Sequence, residues 1–214
     1  MAHEESLKVL KKDKRFAALI KKHGAPVMRE RGNPFQSLVR SIIYQQVSGK
    51  AAATILARFE ALFPGNKFPT PEEVLSMPLQ KLREAGLSSQ KSSYIKDLAE
   101  KFVDGTVQHK KFKKMTNEEV IAHVTAVKGI GVWTAHMFLM FTLERLDVLP
   151  TGDLGVQKGF QIFYGLKKLP THDQMEKLAK DWREHASIAS WYMWRLADEA
   201  KPVRKILSKK RTKK

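Results

Sequence analysis

Cysteine is absent from the 214 residues of this chain. Its absence excludes disulfide bonds, thiolate zinc sites, cysteine nucleophiles and cysteine-ligated iron–sulfur clusters. Acidic residues are also few. The chain has 22 Asp and Glu against 39 Lys and Arg, which gives a formal net charge of +17. A charge of this sign and size indicates a polyanionic partner, and nucleic acid is the leading candidate.

The sequence also lacks an apolar run of transmembrane length, and residues 1–15 are charged rather than apolar. Neither a membrane span nor a signal peptide is therefore predicted, which leaves an anionic membrane surface as a weaker alternative partner. No cluster of His, Asp and Glu shows the spacing of metal ligands, so we expect neither a catalytic metal nor a cofactor. The length and the 43% hydrophobic content fit one globular domain over residues 1–207. The lysine-rich tail 208–214 is expected to be disordered, and it would serve as a nuclear signal or add DNA affinity.

Apolar residues recur with helical rather than alternating spacing along the chain. In one segment Phe35, Leu38, Val39, Ile42 and Ile43 occupy positions i, i+3, i+4, i+7 and i+8. This spacing places them on one face of an amphipathic helix. The pattern predicts an all-α fold of about ten helices.

The segment Lys128–Gly131 reads KGIG and separates two predicted helices. The first helix begins with a capping box formed by Thr116 and Glu119, and the second is predicted from Val132 to about Leu146. The two glycines let the backbone turn sharply and present N–H groups at the start of the second helix, an arrangement that attracts phosphate. A glycine turn that binds nothing is the alternative interpretation.

Asp153 follows a Pro-Thr-Gly turn and precedes a predicted helix from Leu154 to Tyr164. Asp is a favoured N-cap residue, so capping alone would explain its position. An anionic carboxylate is also the group that would stabilise a cationic sugar intermediate beside DNA. The two roles are compatible, and the sequence leaves both open.

These segments resemble the helix-hairpin-helix DNA glycosylases, and within them the 3-methyladenine DNA glycosylase II group. The resemblance runs from about Phe35 to Arg195, with the motifs in the order that the family shows. The matching motifs are GIGVWTA at 129–135, Asp153 twenty residues after Trp133, YQQVSGKAA at 44–52, GLS at 86–88 with Lys91 and Tyr94–Lys96, and ASWYMWR at 189–195.

The resemblance implies two helical lobes with a DNA-facing cleft, and it implies enzymatic activity. The expected enzyme is a hydrolase that excises alkylated bases, of the 3-methyladenine and 7-methylguanine type, from duplex DNA in base excision repair. Bifunctional relatives carry a lysine nucleophile where this chain has Trp133, so a monofunctional glycosylase without lyase activity is expected. The expected partner is duplex DNA with alkylated bases, bound by a monomer. The expected location is the nucleus in a eukaryote, and the cytoplasm or nucleoid otherwise.

The resemblance also implies roles for individual residues, with Asp153 as the catalytic carboxylate. The base pocket is expected to contain two aromatic and two polar side chains: Trp133, Trp194, Gln46 and Ser48. DNA contacts are expected from the hairpin and from three other positions: Lys128, Gly129, Gly131, Thr134, Ser89, Lys91 and Lys50. The backbone carbonyls of Val127 and Gly129 are candidates for a structural monovalent cation.

Three positions depart from the family pattern. Ser48 stands where many relatives have His, Ser89 stands near the position of their wedge residue, and Ala186 stands where they have Arg. Ser89 could instead belong to an N-cap loop, and the glutamines at 45 and 46 could form a solvated face. These departures favour a non-catalytic or weakly catalytic DNA-binding homologue, whereas Asp153 favours the enzyme. A basic RNA- or ribosome-associated helical protein is a further alternative, which would leave Trp133, Thr134 and Ala135 together with Asp153 unexplained.

Overall fold

Every regular element in the described part of the chain is a helix, which confirms the all-α fold class. The computed structural model describes residues 2–26, 33–65 and 68–200. The tail 208–214, predicted to be disordered, lies outside these ranges. Among the described helices, none is long and apolar enough to cross a bilayer.

The described residues form twelve α-helices, against about ten expected. In chain order they are α1 Ala2–Leu10, α2 Lys14–His23, α3 Pro34–Tyr44, α4 Gly49–Glu60, α5 Pro71–Ser76, α6 Leu79–Glu84, α7 Ser89–Val103, α8 Asn117–Thr125, α9 Val132–Phe141, α10 Leu154–Tyr164, α11 His172–Leu178 and α12 Ala186–Glu199. Two 3₁₀ segments, His109–Lys114 and Lys180–His185, lie before α8 and before α12.

The helices belong to two units. The terminal unit consists of Met1–Pro26 and Thr151–Lys214, and the middle unit consists of Val27–Pro150. The terminal unit thus contains α1, α2 and α10 to α12, whereas the middle unit contains α3 to α9. The DNA-facing cleft expected from the family resemblance stays a prediction.

The core of the terminal unit is aromatic. Phe16 of α2 is fully buried, and its ring lies 4.4 Å from that of Phe163, 5.6 Å from that of Trp182 and 6.4 Å from that of Tyr192. Tilted and edge-on pairs at these separations are the favourable geometry for aromatic rings. They join α2, α10 and α12 in one apolar cluster.

Helices α10 and α12 approach each other closely at Gly159. A Cβ atom at this position would overlap the backbone of Met193 on α12. Only glycine allows two helix backbones to come this near without a shift of one of them. The contact sets the separation between the start of α10, where Asp153 lies, and the middle of α12.

The middle unit is organised around α7, which packs against α3, α5 and α6. Its inner face is apolar, and Ile95 and Leu98 are completely buried. The same helix carries Lys96, whose ammonium group donates to the carbonyl of Leu75 at the end of α5 at 2.5 Å. A cation suits this place, because the last carbonyls of a helix lack partners and carry partial negative charge.

Helix α9 ends at Phe141, about one turn before the end predicted from the apolar sequence. The chain leaves the helix through Glu144, which has a positive φ of 53°. Arg145 then turns towards the 3₁₀ segment and donates to the carbonyls of Phe112 at 2.7 Å and Met115 at 2.6 Å. Charged hydrogen bonds of this kind outweigh the propensity of the apolar residues to extend the helix.

Replacing Gly159 with Ala tests the close contact between α10 and α12. Because the added Cβ meets backbone rather than a flexible side chain, we expect the free energy of unfolding to fall by about 1–3 kcal/mol, the usual cost of overpacking. Chemical denaturation measures it. Gly49→Ala is the matched control, since a Cβ there meets open space. Equal stability of Gly159→Ala and the wild type would contradict the described packing.

Candidate functional site

The hairpin between α8 and α9 requires glycine at position 129 for two separate reasons. Gly129 has a φ of +81°, a conformation that side chains disfavour. A Cβ atom at this residue would also overlap the ring of Tyr94 on α7. The turn is completed by Ile130, which is buried and donates its amide to the carbonyl of Val127 at 3.1 Å. The hairpin is therefore shaped by the ring beneath it as well as by its own sequence.

Asp97 of α7 holds the hairpin from the same side. It accepts a hydrogen bond from the Lys128 amide at 2.8 Å, and Lys101 lies 2.7 Å from its other oxygen. Burial opposes ionisation of this carboxyl, but the hydrogen bonds and charges of Lys101 and Lys128 outweigh it and lower its pKa. The Lys128 amide is thus turned inward, and its ammonium group lies 3.6 Å from Oδ1 of the same carboxylate on a side chain that is 70% exposed. Of the Lys128 groups, the ammonium is therefore the better placed to meet a phosphate.

The α3–α4 turn is attached to the hairpin by Gln45. Its side-chain amide donates to the Gly129 carbonyl at 2.8 Å. This carbonyl and that of Val127 were the candidates for a monovalent cation, and each accepts a hydrogen bond within the protein. Cation binding there stays a prediction. Among the described residues, no group of His, Asp and Glu is arranged to hold a metal ion.

The next residues of this turn carry three of the predicted contacts. Gln46 is exposed with a positive φ of 56°, Ser48 is the N-cap of α4 and accepts from the Ala51 amide at 3.3 Å, and Lys50 is exposed in the first turn of α4. Ser48 thus has a structural role of its own. The base-pocket roles of Gln46 and Ser48, and the DNA contact of Lys50, stay predictions.

The loop before α7 contains the predicted wedge position. Ser88, not Ser89, is the N-cap, because its hydroxyl oxygen accepts from the Lys91 amide at 3.1 Å. Ser89 is the first residue of the helix and is exposed. The capping role that the sequence left open for Ser89 therefore belongs to its neighbour, and its role as a wedge stays a prediction.

The first turn of α9 follows the hairpin directly. Trp133 is 53% exposed, which is unusual for so large an apolar side chain, whereas Thr134 is buried. An exposed indole at this place offers a flat surface to a partner. The base-pocket role of Trp133 and the DNA contact of Thr134 stay predictions.

In the terminal unit, the structure brings Asp153 and Trp194 together. One carboxylate oxygen of Asp153, Oδ1, accepts the Val156 amide at 2.9 Å and the indole N–H of Trp194 at 2.9 Å. The first bond caps α10, and the second joins α10 to α12. The sequence indicated the two residues separately but not the bond between them. The capping role predicted for Asp153 is present, and it leaves room for a second role.

Gly155 is the reason that the indole can reach Asp153. A Cβ atom at Gly155 would lie 2.8 Å from Cδ1 of Trp194 and 3.0 Å from Oδ1 of Asp153. Gly155 and Gly159 are four residues apart and therefore lie on the same face of α10. This spacing is the sequence signal that would have identified the face of α10 that packs against α12.

The turn before Asp153 is also fixed. Thr151 is buried, its hydroxyl pairs with Nδ1 of His172 at 2.8 Å, and its carbonyl accepts the side-chain amide of Gln157 at 2.8 Å. The position of Asp153 is thus determined from both sides. Ala186, one of the three departures from the family pattern, is completely buried as the first residue of α12.

Replacing Asp97 with Asn should weaken the attachment of the hairpin to α7. Because the folded-state pKa of Asp97 is lowered, its contribution to stability is present above the ordinary pKa of 3.8 and is lost as the pH falls through the lower folded value. At about pH 7 we expect Asp97→Asn to reduce the free energy of unfolding by roughly 1–3 kcal/mol. At a pH below both values the difference should vanish.

Thermal melting of the wild type and Asp97→Asn across this pH range is the measurement. Glu100→Gln, which neutralises an exposed carboxylate on the same helix, serves as the control. A difference in melting temperature that does not depend on pH would show that the Asp97 charge does not hold the hairpin.

Comparison with known proteins gives a consistent family. The profile described as "HhH-GPD superfamily base excision DNA repair protein" matches residues 39–185. The DNA-3-methyladenine glycosylase 1 of Schizosaccharomyces pombe is 35% identical over 195 residues, which cover 89% of this chain and 86% of that protein.

Two solved structures support the same family. A 3-methyladenine DNA glycosylase of S. pombe in complex with abasic DNA has a TM-score of 0.77 and 32% identity, over 92% of this chain and 98% of that one. A DNA-3-methyladenine glycosidase of Bacillus halodurans has a TM-score of 0.80 and 37% identity, over 88% of this chain and 87% of that one. The chain therefore belongs to the HhH-GPD superfamily of base excision DNA repair proteins.

Proposed function

We propose that this protein is a monofunctional DNA glycosylase that hydrolyses the N-glycosidic bond of alkylated bases, of the 3-methyladenine and 7-methylguanine type, in duplex DNA. The observation that carries the proposal is the Asp153 carboxylate, which the Val156 amide and the Trp194 indole hold in one orientation. Relatives named as DNA-3-methyladenine glycosylases, similar over most of their length, support it.

The chemistry of base removal explains why a fixed carboxylate is needed. Positive charge develops on the deoxyribose as the base departs, and a preorganised anion stabilises that charge without reorganising in the reaction. The hydrogen bonds from the Val156 amide and the Trp194 indole go to the same oxygen, Oδ1, and restrict the orientation of the carboxylate. The carboxylate then orients or deprotonates the water that attacks C1′.

The departure of the base needs little further catalysis. Alkylation at a ring nitrogen makes the base cationic, so no strong general acid is required. To reach the enzyme, the nucleotide must leave the base stack, and an electron-poor base is then held by an aromatic face. Trp194 offers such a face beside Asp153. Because the position of the lysine nucleophile in bifunctional relatives is held by Trp133, the strand should remain uncut.

The proposed partner is duplex DNA with alkylated bases, bound by a monomer. The excess of 17 positive charges and the exposed Lys128 side chain beside the hairpin support binding to the phosphate backbone. The proposed location, the nucleus in a eukaryote and the cytoplasm or nucleoid otherwise, rests on the tail 208–214, which lies outside the described residues.

Asp153→Asn separates catalysis from capping. Asn is as good an N-cap as Asp, and its carbonyl oxygen can accept both the Val156 amide and the Trp194 indole, so the fold should be kept. The charge is lost, and excision should fall by at least about a hundredfold, the scale of removing one preorganised electrostatic group. Single-turnover excision from a duplex with one alkylated adenine, followed by alkaline cleavage of abasic sites, measures it.

The control is the thermal melting of the same variant, which should match that of the wild type. Unchanged excision by Asp153→Asn would remove Asp153 from the catalytic role. No excision by the wild type would favour the non-catalytic DNA-binding alternative, and strand cleavage without alkali would contradict the monofunctional assignment.

Affinity for undamaged duplex DNA should fall steeply with salt, because each phosphate contact releases counterions. About four contacts would lower the association constant roughly a hundredfold between about 50 and 200 mM monovalent salt, and Lys128→Gln should reduce the slope of log K against log salt by about 0.9. Lys8→Gln, an exposed lysine of α1 with no proposed DNA role, should leave the slope unchanged. Binding that is insensitive to salt would contradict the proposed mode of DNA binding.

A further inference from the structure

The α3–α4 turn presents a strained residue to solvent. Gln46 is exposed and has a φ of 56°, which a side chain adopts only at a cost of about 1 kcal/mol or more. Such a conformation persists only where the surrounding structure determines it. Gln45, the preceding residue, is extended with φ −60° and ψ 133°, and so is Ser48, two residues later, with φ −66° and ψ 150°. The backbone conformation of Gln46 must therefore be held by contacts from outside the turn.

Lys91 of α7 provides this support. Its ammonium group donates to the carbonyl of Ile43 at 2.8 Å and to that of Gln45 at 2.7 Å. These carbonyls belong to the last turn of α3 and to the residue just before Gln46. The two carbonyl oxygens replace water around the ammonium group, and its burial lowers the pKa of Lys91. Two of its three donors are used in this way.

The same turn is joined to the hairpin. The Gln45 carbonyl accepts a hydrogen bond from Lys91, and the Gln45 side-chain amide donates one to the Gly129 carbonyl. The chain of bonds therefore runs from α7 through the α3–α4 turn to the hairpin. Tyr94 and Asp97, which contact the hairpin, follow Lys91 on the same face of α7.

We propose that Lys91 is a positioning residue that presents Gln46 to the DNA, and that it is not a phosphate contact. The inference rests on the proposed function, because it concerns how a damaged duplex is recognised. Without Lys91, the two carbonyls lose a buried partner and the turn can relax to an unstrained conformation. Gln46 would then no longer be held in the geometry that meets an extruded or missing base.

A double-mutant cycle between Lys91→Met and Gln46→Ala tests the proposal. Fluorescence anisotropy measures binding to a duplex with one abasic site and to the same duplex undamaged, over a range of salt. Each single variant should lose about tenfold in affinity for the abasic duplex. Because Lys91 acts through Gln46, the double variant should bind no more weakly than Gln46→Ala alone. The salt slope of Lys91→Met should equal that of the wild type.

Lys96→Met is the matched control. Lys96 lies on the same helix, donates to a backbone carbonyl as Lys91 does, and also has a pKa lowered by burial, but it supports α5. Its loss should lower the melting temperature to a similar extent and leave DNA affinity unchanged. Lys91→Arg, which keeps the charge and the donors, should restore most of the affinity. If Lys91→Met does not fold, Lys91→Gln, which keeps a shorter donor, takes its place in the cycle.

Additive losses in the double variant would overturn the proposal, and so would a salt slope reduced by about 0.9 in Lys91→Met, the effect of one lost phosphate contact. A wild type that neither excises alkylated bases nor prefers the abasic duplex would overturn the proposed function and this inference with it. If the wild type excises alkylated bases normally and Lys91→Met excises them equally well, this inference alone would be overturned.

Discussion

The close approach of α10 to α12 is the constraint on which the proposed chemistry depends. Gly159 lets the two backbones touch, and Gly155 makes room for the Trp194 ring four residues earlier. Only at this separation can the indole N–H reach the carboxylate at the head of α10, 2.9 Å away. The capping hydrogen bond from Val156 alone would restrict the orientation of the Asp153 carboxylate less. The additional bond from α12 turns a common capping residue into a carboxylate of fixed direction.

In the middle unit, side chains from a neighbouring helix likewise hold two backbone turns in place. Helix α7 supports the two turns that are proposed to contact DNA, and three of its side chains contact them: Lys91, Tyr94 and Asp97. They lie at intervals of three residues, so they share one face of the helix. Ile95 and Leu98, which lie one and two turns after Lys91, are completely buried and fix the helix in the core. Helix α7 therefore connects the core of the middle unit to both turns.

The sequence predicted the features that depend on local chemistry. Helical periodicity predicted the fold class, the glycines predicted the hairpin, and Asp153 was identified both as a cap and as a candidate for catalysis. It could not predict contacts between distant residues, such as Asp153 with Trp194, because no local pattern links positions 41 residues apart. For the same reason the predicted end of α9 was wrong, since Arg145 donates hydrogen bonds to carbonyls 30 and 33 residues away in the sequence. The sequence assigned Lys91 to DNA from its motif alone, whereas its hydrogen bonds to α3 are visible only in the fold.

The central claim is that the carboxylate of Asp153 stabilises positive charge on the sugar. The most direct measurement compares the affinity of the wild type for two duplexes, one with a cationic pyrrolidine in place of the target nucleotide and one with a neutral tetrahydrofuran. The pyrrolidine mimics the charge of the transition state, so it should bind at least about tenfold more tightly, and Asp153→Asn should abolish this preference. Equal affinity of the wild type for the two duplexes would contradict the claim.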